Sequence, residues 1–372
     1  MIRIEELETP TFLLDLSVLE KNIMGYQKAC DDNQKQLWPM TKTHKSSYIA
    51  SLQLKAGAKG FLVGTIDEAE ILADKGMGNI MLAYPYADSV NLRRIVAISE
   101  RINLYCALDH VGHIKLYSDF FKKHNQICKI IIIIDSGLGR FGVSPEEAGK
   151  FALNVINGES LELAGIATHS GQVYGCSNKE EVNIQGHFGL EKMQVAKTNI
   201  KEKGIDLQFS ACGTTPAFDL EVRNEFIDIV RPGNYVFHDN IQIILGTATE
   251  KDCAFTVQCS IISKHGNHLL INCGSKCLGL DKGAHGVGGL DTYGRVKGHP
   301  GLKVVSLSEE VGKIYAVDPE KYDIGDKLEI IPNHSCSSAS MTSFLTGHRN
   351  GIVESIIEID MRPNSKKRVQ GG

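Results

Sequence analysis

The first two thirds of the chain alternate short apolar runs with longer segments in which apolar residues recur at helical spacing. Because a helical connection returns the chain to the same edge of a sheet, this alternation predicts parallel strands. The strand-like runs are the one that ends at Lys42 and residues 59–64, 80–84, 102–108, 129–135, 161–168, 207–212 and 226–230. Eight such units predict a closed (β/α)8 TIM-type barrel, for which about 250 residues are usual. An open doubly wound sheet is the alternative, but no Gly-x-Gly-x-x-Gly turn follows the first strand.

Beyond about residue 245 the pattern changes to strand-like runs separated by turn residues, with no long helical pattern among them. The runs are residues 253–263, 268–273, 303–306, 313–318, 327–332 and 351–359. This pattern predicts a second, mostly antiparallel β domain. We therefore predict a barrel at residues 12–245 and a β domain built from residues 1–11 and 246–372.

Composition narrows the class of protein. The 372 residues are 42% hydrophobic and 23% charged with a net charge of -4, which is ordinary for a globular protein and gives no field that favours nucleic acid. The longest apolar runs, such as residues 130–134, are too short to span a membrane. Ten cysteines without paired spacing indicate reduced thiols. We expect a cytoplasmic enzyme or binding protein with no nucleic-acid or membrane partner.

A lysine stands at the end of the first barrel strand. In (β/α)8 enzymes the working residues lie at the carboxyl ends of the strands and in the loops that follow. Lys42 has such a place, within Thr41-Lys42-Thr43-His44-Lys45. A buried stem would desolvate its amine and favour the neutral form that acts as a Schiff-base nucleophile. A solvated surface lysine is the alternative for Lys42 taken alone.

Two glycine-containing loops later in the barrel region suit a phosphate group. The segment Ser210-Ala211-Cys212-Gly213-Thr214-Thr215-Pro216 offers small hydroxyls, and the backbone of Gly213 can approach a ligand closely. Gly233 and Asn234 follow the next strand and offer further backbone donors. An ordinary turn without a ligand is the alternative.

Polar side chains at two other strand ends suit an aromatic ring or an anion. Arg140 follows Asp135-Ser136-Gly137-Leu138-Gly139, and its guanidinium presents a fixed fork of donors. His169 and Tyr174 follow another strand and can stack on a ring or hydrogen-bond to it. An ion pair at the barrel mouth for Arg140 and an imidazole bonded to backbone for His169 are the alternatives.

A candidate metal site lies in the predicted β domain, in Pro332-Asn333-His334-Ser335-Cys336. On a strand, His334 and Cys336 would face the same side, and an imidazole with a thiolate suits Zn²⁺. Two protein ligands are too few for a closed structural site, so the pattern points to a site open to substrate. A chance pairing of the two residue types in a loop is the alternative.

A series of short motifs runs in order along the chain. They are Thr9-Pro10-Thr11, Lys42-Thr43-His44-Lys45, Asp135-Ser136-Gly137 with Arg140 and Gly142, Thr168-His169 with Gly171 and Tyr174, Ser210-x-x-Gly213-Thr214-x-Pro216, Arg231-Pro232-Gly233, Gly274-Ser275-Lys276, Ser308-Glu309-Glu310 and Pro332-Asn333-His334-x-Cys336. Together the motifs resemble the fold-type III pyridoxal-phosphate (PLP) enzymes of the alanine racemase superfamily, in particular the branch of D-serine dehydratase and D-threonine aldolase.

The resemblance implies a PLP-binding barrel, a C-terminal β domain and a homodimer whose sites are shared between subunits. Lys42 is implied to hold PLP as a Schiff base. The other implied cofactor-binding residues are Arg140, His169 and Tyr174 near the ring, and Ser210, Gly213, Thr214, Gly233 and Asn234 at the phosphate end. His334 and Cys336 are implied to bind a divalent metal, zinc or manganese.

The resemblance also implies a lyase that acts on a D-3-hydroxy amino acid. We expect elimination to a 2-oxo acid and ammonia, as in D-serine dehydratase, because the His/Cys pair is closer to the dehydratase members. Retro-aldol cleavage to glycine and an aldehyde, as in D-threonine aldolase, is the first alternative. An amino-acid racemase and a non-catalytic PLP carrier are further alternatives, although small carriers of this fold lack a β domain.

Two segments depart from the family pattern. Trp38-Pro39-Met40 stands where the family usually has Arg-Pro-His. In Ser308-Glu309-Glu310-Val311-Gly312 a valine takes the place of the usual histidine. Both departures bear on the substrate more than on the cofactor.

Overall fold

The structure is a computed structural model that describes residues 1–284 and 289–363. Its β-strands are β1 Thr11–Asp15, β2 Gln36–Leu37, β3 Phe61–Val63, β4 Asn79–Leu82, β5 Asn103–Leu108, β6 Cys128–Ile133, β7 Leu161–Thr168, β8 Phe209–Cys212, β9 Ile229–Val230, β10 Phe255–His265, β11 His268–Ile271, β12 Gly294–Val296, β13 Leu302–Leu307, β14 Gly312–Ala316, β15 Lys327–Pro332, β16 Phe344–Arg349 and β17 Ile352–Glu358. Its α-helices are α1 Leu16–Asp32, α2 Ser47–Ala56, α3 Ile66–Asp74, α4 Ser89–Ser99, α5 Val111–Lys123, α6 Ala148–Ile156, α7 Lys179–Lys201, α8 Phe218–Glu221, α9 Asn240–Ile244, α10 Ser275–Leu278 and α11 Ser335–Ala339.

The first sheet contains eight parallel strands in the order β2-β9-β8-β7-β6-β5-β4-β3. The sheet closes on itself, because the backbone N–H of Leu62 donates to the carbonyl of Pro39 at 2.9 Å and Met40 forms a parallel bridge with Leu62. Inward-facing side chains such as Tyr105 of β5, together with Trp38 directly after β2, fill the interior of the barrel. The predicted (β/α)8 barrel is confirmed.

The first barrel strand is shorter than the sequence suggested. Strand β2 ends at Leu37, and Pro39 has no N–H with which to continue the ladder. The chain then enters a 3₁₀ turn at Thr41–Thr43. Lys42 therefore lies on a tight turn beyond the strand rather than on the strand itself.

The second sheet has nine strands in the order β11-β14-β13-β12-β15-β10-β1-β16-β17. Its pairings are antiparallel except for the parallel pair of β1 with β16, which confirms the mostly antiparallel β domain. Strand β1, which we had placed at the start of the barrel, pairs with β10 and β16 instead. The physical reason is that β2 and β3 already close the barrel and leave no edge for a ninth strand.

In residues 1–284 and 289–363, no helix combines the length and the apolar character that crossing a membrane requires. Helix α1 begins directly after β1, where the Asp15 carboxylate accepts from the backbone N–H groups of Ser17 and Val18. The chain therefore passes from the second sheet into the first helix of the barrel without a loop, since Asp15 both ends β1 and caps α1.

Candidate active site

A cavity lies where the carboxyl ends of the barrel strands meet the second sheet. Ten of the eleven residues that we predicted for the site line it, namely Lys42, Arg140, His169, Tyr174, Gly213, Thr214, Gly233, Asn234, His334 and Cys336. These residues come from both sheets and are separated by up to almost 300 positions in the sequence. The barrel residues meet because each of them follows the carboxyl end of a strand, where the sites of (β/α)8 barrels lie.

The two lysines of Lys42-Thr43-His44-Lys45 have different surroundings. Lys42 lines the cavity. Lys45 instead points to Glu68, with its Nζ 2.5 Å from Glu68 Oε1 in an ion pair whose carboxylate is fully buried. Lys42 is therefore the lysine of this segment that faces the cavity.

Two threonine hydroxyls in the loop after β8 are suited to an anion. Oγ1 of Thr214 and Oγ1 of Thr215 are buried in the cavity lining and have no hydrogen-bond partner among the described residues. A buried polar group without a partner is costly, so a ligand with several acceptor oxygens, such as a phosphate, fits them. The backbone N–H of Thr214 donates to Glu221 Oε2 at 3.0 Å.

Ser210 is the predicted residue that does not line the cavity. Successive residues of a strand face opposite sides, and Phe209 and Ala211 of β8 point into the barrel. Ser210 therefore points outward, where its hydroxyl lies 3.0 Å from Asp228 Oδ2 and its backbone N–H donates to the same oxygen at 2.7 Å. Its expected place at the phosphate end is corrected on this ground.

Three residues that we predicted to lie near a cofactor ring are held in different ways. Nδ1 of His169 lies 2.8 Å from the carbonyl oxygen of Gly213, so the imidazole is tied to backbone while it lines the cavity. The ring of Tyr174 is centred 6.4 Å from that of His169, and burial raises the pKa of its phenol. The guanidinium of Arg140 lies over the ring of Tyr84, 5.7 Å from the ring centre.

Arg231 is a cavity residue to which the sequence had assigned no role. Its side chain is buried, its terminal NH2 donates to the carbonyl of Thr168 at 2.7 Å, and its Nε has no partner among the described residues. Burial raises the pKa of the nearby Glu221 to about 8, against the opposing effects of the Thr214 N–H and Arg231. A buried guanidinium with an unused donor suits an anionic or aromatic ligand.

The His-x-Cys segment is not a strand. Strand β15 ends at Pro332, His334 precedes α11 as its N-terminal cap residue, and Cys336 lies in the first turn of that helix. Both side chains nevertheless line the cavity. Asn333 fixes the bend, since its amide nitrogen donates to the carbonyl of Asp281 at 2.9 Å.

Nearby charges stabilise the imidazolium of His334 and the thiolate of Cys336. The thiolate is the metal-binding form of the cysteine, whereas His334 has to lose its proton to bind a metal. Burial opposes ionisation of His334, but the Cys336 thiolate and two nearby carboxylates together raise its pKa to about 9. Burial likewise opposes ionisation of Cys336, but His334 and Lys42 leave the pKa of the thiol below its usual value. Within residues 1–284 and 289–363 no third His, Cys, Asp or Glu completes a metal-binding group with them. The donor set fits a divalent metal whose remaining positions are open to water or substrate.

A buried aspartate joins the loop of Asn234 to the loop of His334 and Cys336. Asp239 Oδ2 accepts from Asn234 Nδ2 at 2.7 Å and from the backbone N–H of Ser335 at 3.0 Å. The carboxylate is almost fully buried, and burial raises its pKa although His334 and these hydrogen bonds oppose that effect. Hydrogen bonds through Asp239 therefore connect the loop of Asn234 to the candidate metal loop.

Comparison with known proteins identifies the family. Residues 14–240 match the family described as alanine racemase, N-terminal domain, and residues 254–347 match the one described as putative serine dehydratase domain. The chain belongs to the alanine racemase N-terminal domain family. Fold-type III PLP enzymes make up this superfamily, as the motifs had suggested.

Relatives within the alanine racemase family include both dehydratases and aldolases. The chain is 29% identical to a D-serine dehydratase of Dictyostelium discoideum over 91% of this chain and 93% of the relative. It is 25% identical to a 3-hydroxy-D-aspartate aldolase of Paracoccus denitrificans strain Pd 1222 over 96% of this chain and 92% of the relative. The solved structure of D-threo-3-hydroxyaspartate dehydratase from Delftia sp. HT23 superposes with a TM-score of 0.89 at 24% identity, covering 96% of this chain and 99% of that one.

Two motifs of the C-terminal part, Gly274-Ser275-Lys276 and Ser308-Glu309-Glu310, lie outside the cavity lining. The backbone N–H of Ser275 donates to the carbonyl of Ser308 at 2.8 Å. A Cβ on Gly274 would lie 2.3 Å from the carbonyl oxygen of Glu309, so this contact requires glycine. The two motifs therefore pack on each other at the turn between β13 and β14, in which the carbonyl of Val311 accepts from the backbone N–H of Ser308 at 2.8 Å.

The segment Trp38-Pro39-Met40, which differs from the usual Arg-Pro-His, places apolar side chains inside the barrel and in the cavity lining. Trp38 is buried inside the barrel, edge-on to Tyr105 with ring centres 5.8 Å apart. Met40 lines the cavity and packs beside Gly233, whose ideal Cβ would lie 3.0 Å from Met40 Cβ. An apolar thioether therefore lies beside the loop of Gly233.

Proposed function

We propose that the protein is a PLP- and metal-dependent lyase that removes the β-hydroxyl of a D-3-hydroxy amino acid, giving a 2-oxo acid and ammonia. The observation that carries the proposal is the convergence on one cavity of Lys42, two unpartnered buried hydroxyls, and the His334/Cys336 pair. Membership of the family and a relative named D-serine dehydratase support the same reaction class.

The barrel residues would hold PLP and handle the α-proton. Lys42 would carry the cofactor as a Schiff base, with Thr214 and Thr215 donating their hydroxyls to its phosphate and Tyr174 near its ring. When bound, PLP supplies an electron sink for the pair released at the substrate Cα. Once released by the substrate, the Lys42 amine would remove the α-proton as a general base.

The loop from the second sheet would supply the metal. His334 and Cys336 would hold a zinc or manganese ion, whose Lewis acidity makes a hydroxyl a better leaving group. The two residues leave coordination positions for the substrate oxygen. Asp239 would hold this loop in place beside Asn234.

Retro-aldol cleavage is the second candidate, because one relative is named 3-hydroxy-D-aspartate aldolase. The same residues would bind the substrate, but a base would take the proton of the β-hydroxyl and the Cα–Cβ bond would break. A racemase would need neither metal ligand, so the His334/Cys336 pair at the cavity argues for a lyase. A non-catalytic carrier would have no use for the pair either.

The experiment is a product analysis. The purified protein is loaded with PLP and with Zn²⁺ or Mn²⁺, and D-serine, D-threonine and L-serine are offered separately. We expect pyruvate and ammonia from D-serine and no reaction of L-serine. Glycine and acetaldehyde from D-threonine, without pyruvate from D-serine, would favour the aldolase. Absence of all these products with both metals would contradict both candidates.

We further propose that the chain divides into a barrel domain up to about residue 245 and a β domain that includes β1, and that it forms a homodimer. Family resemblance supports the homodimer, and the strand pairing supports the division. The cytoplasmic location stays a prediction from the sequence. Sedimentation equilibrium on the purified protein tests the homodimer.

A further inference from the structure

A buried carboxylate lies directly behind the turn that carries Lys42. Glu68, in the first turn of α3, has a fully buried side chain. Its Oε2 accepts from Thr41 Oγ1 at 2.5 Å and from the backbone N–H of Gly64 at 3.2 Å. Its Oε1 pairs with Lys45 Nζ at 2.5 Å. The fourth donor is the Thr65 hydroxyl at 3.1 Å, so four donors from residues 41–45 and 64–65 meet on one side chain.

These contacts bracket Lys42 from both sides. Thr41 precedes Lys42, and Lys45 follows it by three residues. Gly64 lies against its root, since an ideal Cβ on Gly64 would be 3.3 Å from Lys42 Cβ. Glu68 thus restrains the residue before Lys42, the residue that ends its turn and the backbone beside it. Lys42 itself is not among the partners of Glu68, and Glu68 does not line the cavity.

We infer that Glu68 is a positioning residue, which fixes the 3₁₀ turn so that the Lys42 amine meets the aldehyde carbon of PLP. In that step the amine adds to the aldehyde, the C=N bond forms and water leaves. A turn that moves by a fraction of an ångström would weaken this reaction without disturbing the phosphate end of the site. The inference rests on the proposed function. It gives α3 a part in positioning Lys42, although no residue of α3 lines the cavity.

The test compares two ligands that share a ring and a phosphate. PLP can form the Schiff base, whereas pyridoxamine 5′-phosphate carries an amine in place of the aldehyde and cannot. Dissociation constants for both are measured on wild type, Thr41→Val, Glu68→Gln and Glu70→Gln. Thr41→Val keeps the shape of the side chain and removes one hydrogen bond. Glu70→Gln is the matched control, because Glu70 lies on the same helix and pairs with Arg94 of α4.

We expect Thr41→Val and Glu68→Gln to weaken PLP binding by about tenfold, which is what the loss of one hydrogen bond is worth, and to leave pyridoxamine 5′-phosphate binding within about twofold of wild type. Glu70→Gln should change neither constant. Equal losses for the two ligands, or an unchanged PLP constant in Thr41→Val, would overturn the inference. Thr41→Val decides the matter if Glu68→Gln does not fold.

A Lys42→Ala variant separates this inference from the proposed function. If wild type binds PLP no more tightly than pyridoxamine 5′-phosphate, and Lys42→Ala changes nothing, the proposed function is contradicted. If wild type prefers PLP, Lys42→Ala loses the preference and Thr41→Val keeps it, only the role of Glu68 is contradicted.

Discussion

The thiol of Cys336 lies 3.2 Å from the hydroxyl oxygen of Thr43. Thr43 is the neighbour of Lys42 on the turn after β2, whereas Cys336 belongs to the short helix after β15 of the second sheet. The contact joins the turn that carries Lys42 to the helix that carries the candidate metal ligand. A substrate bound to PLP in place of Lys42 would therefore have its β-hydroxyl near a metal held by Cys336, as the proposed elimination requires.

Removal of the thiol should abolish tight metal binding. Because Cys336 would be one of only two protein ligands, Cys336→Ala should lower the affinity for Zn²⁺ by more than about 100-fold, the upper range seen for losses in the surrounding shell. Competition titration of the apoprotein against a chromogenic chelator measures the affinity. Cys176→Ala is the matched control, since Cys176 is the other cysteine that is not fully buried. Equal Zn²⁺ affinity in wild type and Cys336→Ala would refute the metal assignment.

Loss of the negative charge of Asp239 should weaken the binding of both Zn²⁺ and PLP. Asp239→Asn keeps the size of the side chain but presents an amide to the donors on Asn234 and Ser335. We expect the affinities for Zn²⁺ and for PLP to fall together, that for Zn²⁺ by about 10- to 100-fold. Asp219→Asn, on the exposed side of α8, is the control. A loss confined to one of the two ligands would show that the loops are not coupled through Asp239.

Two buried histidines should make the protein sensitive to acid. Burial lowers the pKa of His44 to about 3 and that of His238 to about 4, from a usual value of 6.5. Between pH 6.5 and about 4 the unfolded chain therefore binds more protons than the folded one, so stability is lost as the pH falls through this window. Each histidine should cost about 2 kcal/mol between pH 7.5 and pH 5.

Urea unfolding at these two pH values checks the histidine prediction. His238→Asn should reduce the pH-dependent loss of unfolding free energy by about 2 kcal/mol. Asparagine suits this position because His238 has a φ of +49°, in the left-handed region that asparagine tolerates. An identical loss in wild type and His238→Asn would contradict the prediction.

The loop that carries Arg140 depends on Gly142. Gly142 has a φ of +122°, and a Cβ there would lie 2.3 Å from the backbone nitrogen of Asp135. Gly142→Ala should therefore displace the loop and lower kcat/KM for D-serine by about tenfold or more, as a misplacement of about 1 Å near a site does. Gly139→Ala is the control, because Gly139 has a φ of +67° but open space around it, so only a backbone cost of about 1 kcal/mol is expected. Equal kcat/KM values in the two variants would argue against this role of Gly142.

Much of the fold could be predicted because most of its strands are visible in the sequence as continuous apolar runs. The apolar runs at 161–168 and 327–332 coincide with β7 and β15 residue for residue. Strand β16 was missed because polar residues and Gly347 interrupt its apolar pattern. No local feature of β1 tells which sheet it joins, since the edge on offer is set by strands far away in the sequence.

A residue of the candidate site could be predicted only where its position at the end of a strand is enough to place its side chain in the cavity. Strand ends brought Lys42, Arg140 and His169 to the cavity, but the alternation within β8 turns Ser210 away from it. Glu68 and Asp239 carry no sequence signal, because the partners that make a buried carboxylate stable lie on other segments.

The measurement that tests the central claim most directly is identification of the lysine that holds PLP. Wild-type protein loaded with PLP is reduced with borohydride, which fixes a Schiff base as a secondary amine, and its peptides are analysed by mass spectrometry. The structure predicts the phosphopyridoxyl group on Lys42, and no modified peptide from this segment in Lys42→Arg. Modification of Lys45 or of another lysine, or the absence of any modified peptide, would contradict the account.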